Sequence, residues 1–229
     1  MNKYTSKRFS KSIADRAVQE LLYSPRLPQV VEEFESILQA EQEKRERFYD
    51  EVSEQHKAEF INGEIIVHSP VKLRHSMTSD NLFKLLSTYV QRHDLGYVGH
   101  EKLLIALTRN DYEPDICYFD SEKAKEFTLD QMKFPAPDLV VEVLSPTTEA
   151  NDRGVKFEDY AVHGVSEYWI VDPEREFVEQ YVLSEDGYEL IVKVKRGVIA
   201  GHVIKGFEIP VRAIFDSHEQ FTALQVVLA

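Results

Sequence analysis

The pattern of apolar and polar positions changes near residue 56, which separates a helical first part from a part that alternates like strands. Apolar residues recur at helical spacing from Ser12 to Ser24 and again from Gln29 to about Gln55. In the second segment they are Val30, Val31, Phe34, Ile37 and Leu38, with many charged residues between them. We therefore expect a solvated helical extension over residues 1–55 and a separate domain over residues 56–229.

The second part opens with the signal of a β-hairpin. Asn62-Gly63 lies between the short runs Ala58–Ile61 and Glu64–Val67, and this dipeptide suits the two positive-φ positions of a type I′ turn. Leucines and other apolar residues then recur at spacings of three and four from Met77 to His93, just before Gly96. This spacing predicts an amphipathic helix.

Strands dominate the next hundred residues. The runs Tyr97–Thr108 and Tyr112–Phe119 flank a short polar turn and are expected to pair antiparallel, and a polar helical connection is expected over Ser121–Lys133. The run Asp138–Leu144 is apolar except for its acids, which predicts a central strand buried on both faces.

The remaining pattern adds one helix and more strands. A helix is predicted from Asp152, as N-cap, to Gly164 at the C′ position. Further strands are expected over Glu167–Pro173, Phe177–Leu183, Tyr188–Lys195 and Val198–Ile209. This order of elements indicates one α/β (α+β) domain around a mixed sheet.

Charge and cysteine content limit the class of protein. The 27 basic and 40 acidic residues give a net charge of −13, so no broad cationic field is available for unselective binding of nucleic acid or anionic membranes. Cys117 is the only cysteine, which excludes an intrachain disulfide and a cysteine metal cluster. Since no run of about 18 apolar residues occurs, we expect a cytoplasmic protein without a membrane partner.

Glu142 is the first candidate for chemistry, because an acid inside a buried apolar strand needs a cation, hydrogen bonds, a metal ion or a proton. Asp138 shares its strand face but lies about 13 Å away at about 3.3 Å per residue. Asp115, in the preceding hairpin, can converge with Glu142 if the two strands are neighbours. Two carboxylates at a sheet suit Mg²⁺ (or Mn²⁺), with the Val143 carbonyl as a third ligand.

Lys156 is the best candidate for a cation beside these acids. It falls one turn into the helix after the Glu142 strand, with Tyr160 and His163 on the same stripe. A lysine here favours hydroxide over water and stabilises the charge that builds up during phosphoryl transfer. The predicted chemistry is hydrolysis of a phosphodiester bond.

The same residues resemble a known group of proteins. The matching segments are Pro114-Asp115, Asp138-Leu-Val-Val-Glu142 with the Leu-Ser-Pro that follows, Asp152 to Tyr160, and Gly164 to Pro173. They look like the Uma family of bacterial endonucleases in the PD-(D/E)xK superfamily. The resemblance implies a restriction-endonuclease-like core in which Asp115 and Glu142 bind a divalent metal and DNA is the substrate.

The resemblance also implies roles for residues outside the two acids. The superfamily's lysine normally follows the second acid by two residues, but Leu144 stands there in this chain. Lys156 matches a lysine that substitutes for it from the next helix in the Uma group. Glu64 and His75 match further recurrent positions of the family, without an assigned role.

Three readings stay open. The first is a metal-dependent DNA nuclease, for which Lys72, Arg74, Lys84 and Arg92 would have to provide a local basic groove. The second is a catalytically inactive nuclease-like fold that binds a protein or nucleic acid, and the third is a metal-free hydrolase with two carboxylates. An ion between Asp115 and Glu142 supports the first reading, whereas a direct Lys156–Glu142 ion pair without room for an ion supports the second. Pairing of two chains into a homodimer also stays open.

Overall fold

The computed structural model describes residue 16, residues 18–51 and residues 57–229, and the chain divides into two compact units between residues 51 and 52. In the first unit, residues 18–22 are helical and helix α1 spans Leu27–Glu51. Val31, Phe34, Ile37 and Leu38 are exposed on α1. The start of the predicted first helix, at residues 12–15, and the end of the second, at residues 52–55, lie outside the described residues.

The second unit begins with the predicted hairpin. Strand β1 (Ala58–Ile61) pairs antiparallel with β2 (Glu64–Val67), and the two turn residues Asn62 and Gly63 have φ angles of 50° and 81°. Both angles are positive, as a type I′ turn requires. These strands belong to a five-stranded sheet, in the order β2-β1-β5-β4-β7, whose other members are β4 (Leu104–Ala106), β5 (Asp111–Tyr112) and β7 (Lys133–Phe134).

A six-stranded sheet forms the centre of this unit. Its order is β11-β10-β9-β8-β6-β3, and its strands are β3 (Gly96–His100), β6 (Ile116–Asp120), β8 (Leu139–Val143), β9 (Glu167–Asp172), β10 (Phe177–Ser184) and β11 (Gly187–Val194). Strands β8 and β9 are parallel and the other pairs are antiparallel. All five residues of β8 are buried, so the predicted central strand is confirmed. A small two-stranded sheet joins β12 (Val198–Ala200) to β13 (Glu208–Pro210).

Helices cover the six-stranded sheet. They are α2 (Leu73–Arg92), α3 (Ser121–Ala124), α4 (Glu149–Asp152), α5 (Val155–Val162), α6 (Arg212–Phe215) and α7 (Ser217–Leu228). One face of β8, with Leu139, Val141 and Val143, packs in a core with leucines of α2. The other face, with Val140 and Leu144, packs with the aromatic residues around Tyr160 of α5. No helix in the described ranges combines the length and apolar character needed to span a bilayer.

The structure corrects the predicted strand pair around residue 109. The run Tyr97–Thr108 breaks into β3 and β4 at Glu101 and Lys102, whose φ angles of 49° and 32° interrupt an extended chain. Its partner breaks likewise into β5 and β6. Pairing is antiparallel as predicted, but β4 and β5 lie in one sheet while β3 and β6 lie in the other.

Two helical predictions also need correction. The connection predicted as helical from Ser121 to Lys133 is α-helical only over α3. Asp152 is the last residue of α4 rather than an N-cap, because the chain breaks at Gly154 before α5 begins. Gly164, with a φ angle of 77°, does follow the C-cap His163 as predicted. The helices α6 and α7 had no counterpart among the predicted elements.

Candidate active site

Asp115 and Glu142 are brought together by the antiparallel pairing of β6 with β8. The register pairs Cys117 with Val140 and Ile116 with Val141. Continued by one residue, it places Asp115 opposite Glu142, and residues directly opposite each other point to the same face. Both residues are at most 5% exposed, and both line one cavity of about 500 Å³.

Asp115 is held from several directions. Its Oδ1 lies 2.7 Å from the Lys57 ammonium, its Oδ2 accepts a hydrogen bond of 2.8 Å from the Val143 N–H, and His75 Nε2 lies 3.4 Å from Oδ2. Burial opposes the charged form, but Lys57 and His75 more than offset it and lower the pKa of Asp115 far below its ordinary value. The carboxylate is therefore ionised and fixed in orientation.

Lys156 lies at the centre of the site, with a side chain that is only 2% exposed. Its ammonium is 2.8 Å from Glu59 Oε1, 3.2 Å from Glu142 Oε1 and 3.2 Å from Asp152 Oδ1. Burial opposes its charge, but Glu142, Glu59 and Asp152 more than offset it and raise the pKa of Lys156 well above its ordinary value. One permanent positive charge thus serves three buried carboxylates.

The three carboxylates around Lys156 are not equivalent. Despite burial, Lys156 and a 2.9 Å contact from His68 lower the pKa of Glu59 to about 2. Glu59 also accepts a hydrogen bond of 3.0 Å from the backbone N–H of Glu113. Burial raises the pKa of Glu142 well above its ordinary value, because Lys156 does not compensate for it fully and Asp152 and Asp115 add repulsion. Burial likewise raises the pKa of Asp152.

Two of the other candidate residues lie close to this group and each has a buried atom without a partner. Among the described residues, neither Tyr160 Oη nor His75 Nδ1 has a hydrogen-bond partner. Tyr160 follows Lys156 by one turn of α5, and its ring centroid lies 5.2 Å from that of Tyr112. His75 lines the acidic cavity. Leu144, where the superfamily's lysine would stand, is in the core.

Other candidates lie elsewhere. Glu64 is exposed at the turn end of β2 and is not part of the cavity wall. His163 contacts Asp159 and Thr108, and Asp138 pairs with Lys123. The Val143 N–H binds Asp115, whereas a ligand role for its carbonyl stays a prediction.

Sequence reasoning missed Glu59 and Lys57, and it placed Asp152 as a cap. The signal for Glu59 was present, because it is the one charged residue of a strand whose four residues are all buried. This is the same argument that singled out Glu142. Nothing in the sequence around Lys57 distinguishes it from a surface lysine, and its role depends on the long-range contact with Asp115.

The donor set fits a divalent cation by charge. Four buried carboxylates, Glu59, Asp115, Glu142 and Asp152, face two lysines, Lys57 and Lys156. No group of three or more His, Cys, Asp or Glu side chains within the described ranges is arranged to hold a metal ion. Mg²⁺ needs only one or two carboxylates because it retains several waters, and Asp115 with Glu142 provides that number of carboxylates.

Similar proteins have been found by sequence and by structure. The chain is 31% identical over 178 residues to the uncharacterized protein slr1290 of Synechocystis sp., which covers 75% of this chain and 85% of that protein. It is 30% identical over 141 residues to the uncharacterized protein sll1609 of the same organism, and the match covers 60% of this chain and 78% of that protein.

A solved structure shares the fold. It is the crystal structure of a protein from Anabaena variabilis titled a "putative nuclease belonging to DUF820", with a TM-score of 0.63 and 18% identity over 73% of this chain and 94% of that one. The model of the family Uma2, described as "Putative restriction endonuclease", matches residues 40–212. The chain therefore belongs to the Uma2 family and has a restriction-endonuclease-like fold.

Proposed function

We propose that this protein is a metal-dependent endonuclease that hydrolyses DNA phosphodiester bonds with Mg²⁺ or Mn²⁺ held by Asp115 and Glu142. The observation that carries the proposal is the pairing of these two acids across β6 and β8, at one cavity, where buried carboxylates outnumber lysines. The description of the family as restriction endonucleases supports the same class of reaction.

Each side chain has a role that follows from its contacts. Asp115 is oriented by the Val143 N–H and Lys57, so it presents a fixed ionised oxygen to the cavity. Glu59 and Asp152 hold the Lys156 ammonium beside Glu142, where it can stabilise the negative charge that develops on the phosphorus oxygens. A bound divalent ion supplies an activated water and polarises the phosphoryl group.

Cleavage of supercoiled plasmid DNA with Mg²⁺, Mn²⁺ or EDTA tests the proposal. We expect nicking by the wild type only with a divalent ion, and a loss of about 100-fold or more in Glu142→Gln. The matched control is Asp138→Asn, which removes an acid beside the start of the same strand that pairs with Lys123 instead of Lys156. A wild type without activity in either ion, or an active Glu142→Gln, would contradict the proposal.

A binding module without catalysis is the second candidate. It is favoured by the net charge of −13, and Lys156 contacts Glu142 directly, as an inactive site would allow. The same cavity also has room for an ion, so this contact alone does not favour it over the nuclease. The binding module predicts DNA or protein binding that is insensitive to EDTA and is not accompanied by cleavage.

A further inference from the structure

The N-terminus of α2 lacks the acidic or capping side chains that usually stabilise the start of a helix. Its N-cap is Lys72, which makes no side-chain capping bond, and its first turn contains no acid. Within the described residues, the backbone N–H groups of Leu73 and Arg74 donate no hydrogen bond. A helix of 20 residues presents a partial positive charge at this end, so cationic residues here are unfavourable unless an anion joins them.

This helix end lines a second cavity, of about 240 Å³, that adjoins the acidic one. The two cavities share Lys72, His75, Ser145 and Pro146 as wall residues. Arg74 and Arg175 complete the cationic side of the second cavity. An anion bound in this cavity would therefore lie next to the proposed site of cleavage.

The acids of the second cavity are largely occupied by other partners. Glu149 pairs with Arg153 at 2.9 Å, and Asp172 Oδ1 accepts hydrogen bonds from the backbone N–H groups of Glu174 and Arg175. The carboxylate of Glu174 lies 3.5 Å from Arg74, and its side chain is 69% exposed. The guanidinium of Arg175 lies 3.6 Å from Asp172 Oδ2, and its side chain is 68% exposed. Pairs of these lengths with an exposed arginine contribute little, so both arginines remain available to an incoming anion.

His75 provides an independent indication of a ligand. Its side chain is only 7% exposed and lines both cavities, yet Nδ1 has no hydrogen-bond partner among the described residues. A buried polar atom without a partner costs about 1–3 kcal/mol unless a ligand or water satisfies it. The backbone N–H groups without a partner and the unpaired His75 Nδ1 thus lie in the same turn of α2.

We propose that the first turn of α2, with Lys72, Arg74 and His75, together with Arg175 binds a phosphate of the DNA backbone next to the phosphate that is cleaved. The choice of DNA as the polyanion rests on the proposed function. Backbone N–H groups and side-chain cations at a helix N-terminus are the usual donors to a phosphate. Lys84 and Arg92, further along α2, are not part of this cavity wall.

The salt dependence of DNA binding tests the inference without requiring cleavage. Affinity for a labelled duplex is measured by fluorescence anisotropy, in EDTA and again with Ca²⁺, for the wild type, Lys72→Ala and Arg74→Ala. Raising the salt from about 50 to about 200 mM should weaken each variant about 3.5-fold less than the wild type, because one lost phosphate contact reduces the log–log slope by about 0.9. Lys84→Ala, an exposed lysine on the same helix, should behave like the wild type.

A capping variant separates binding from stability. Lys72→Asp should raise the unfolding temperature by about 2–4 °C, because an aspartate at the N-cap satisfies the helix N–H groups. The same variant should weaken DNA binding at least as much as Lys72→Ala. A lower unfolding temperature together with unchanged DNA affinity would overturn the inference.

The outcomes distinguish this inference from the proposed function. Reduced salt slopes without plasmid cleavage would support the phosphate site and contradict the nuclease. Plasmid cleavage with wild-type slopes in both alanine variants would overturn the phosphate site and leave the nuclease intact. A wild type that binds no duplex in either condition would also overturn the phosphate site.

Discussion

The two ends of β8 carry acids with very different surroundings. Asp138, just before the strand, lies 2.9 Å from the Lys123 ammonium and accepts a hydrogen bond of 2.8 Å from the Asp120 N–H. Glu142, inside the strand, shares the Lys156 ammonium with two other carboxylates. The first acid has a cation of its own, and the second competes for one.

Because of this difference, Asp138 stabilises the fold, whereas Glu142 destabilises it. A carboxylate with its own lysine and a backbone donor keeps its charge at little cost, even when partly buried. A carboxylate that is buried with others around one lysine is destabilising at neutral pH, as the raised pKa of Glu142 indicates. Buried charges that are not fully compensated are expected at sites that carry out chemistry.

The largest expected effect comes from removing the shared lysine. Lys156→Met leaves three buried carboxylates without their common cation and should lower the free energy of unfolding by about 3–5 kcal/mol. Lys123→Met removes the partner of Asp138, but the Lys123 side chain is 36% exposed, so the loss should stay below about 1 kcal/mol. Urea unfolding of both variants measures the contrast, and equal losses would remove the distinction between the two ends.

A divalent ion should act at only one end of the strand. Mn²⁺ at about ten times its dissociation constant should stabilise the wild type and Asp138→Asn by about 1.4 kcal/mol, by mass action on the folded state. Glu142→Gln, with one ligand weakened, should respond far less. Thermal unfolding with EDTA and with millimolar Mn²⁺ checks this expectation, and a wild-type midpoint that ignores the ion would contradict it.

Neutralising the two acids should change stability in opposite directions. In EDTA at neutral pH, Glu142→Gln should raise the free energy of unfolding by about 1 kcal/mol for each unit by which the pKa of Glu142 is raised, whereas Asp138→Asn should lower the free energy of unfolding by about 1 kcal/mol. Because the folded pKa of Glu142 lies above its unfolded value, Glu142 destabilises the fold as pH rises through the unfolded value. The advantage of Glu142→Gln should therefore vanish in acid, grow by up to about 1.4 kcal/mol per pH unit between the unfolded and the folded pKa of Glu142, and stay constant above the folded pKa.

Denaturant titrations from acid to neutral pH measure this pair of effects. A Glu142→Gln variant that is less stable in EDTA, combined with a wild type that ignores Mn²⁺, would make Glu142 a structural partner of Lys156. That combination would favour the binding module over the nuclease.

The central part of the fold could be predicted because its signals are local. Asn62-Gly63 specifies its turn by backbone freedom alone, and the apolar run of β8 specifies burial on both faces. The break at Glu101 and Lys102 could not be predicted, because neither residue type favours a positive φ angle. The tertiary structure imposes this break when the chain passes from one sheet to the other.

The candidate site was predicted only in part, because only some of its residues have local signals in the sequence. Glu142 could be recognised from its own strand, and the placement of Lys156 came from the spacing along the helix and the family resemblance. Lys57 joins the site through a long-range contact with Asp115 that no local pattern encodes. Glu59 carried a local signal, as the one charged residue of a buried strand, but its contact with Lys156 is also long-range. Glu64 was suggested by resemblance alone, and it is exposed and is not part of the cavity wall.

The parallel pairing of β8 and β9 has a consequence for the order in which the site is assembled during folding. A parallel pair requires a crossover connection, and this one contains α4 and α5 with Asp152 and Lys156. Lys156 is 14 residues from Glu142 but about 100 from Glu59, so closing the longer loop costs about 1.7 kcal/mol more in chain entropy. We expect the crossover to bring lysine and Glu142 together early and Glu59 to join late, which φ-value analysis would show as a lower value at Glu59.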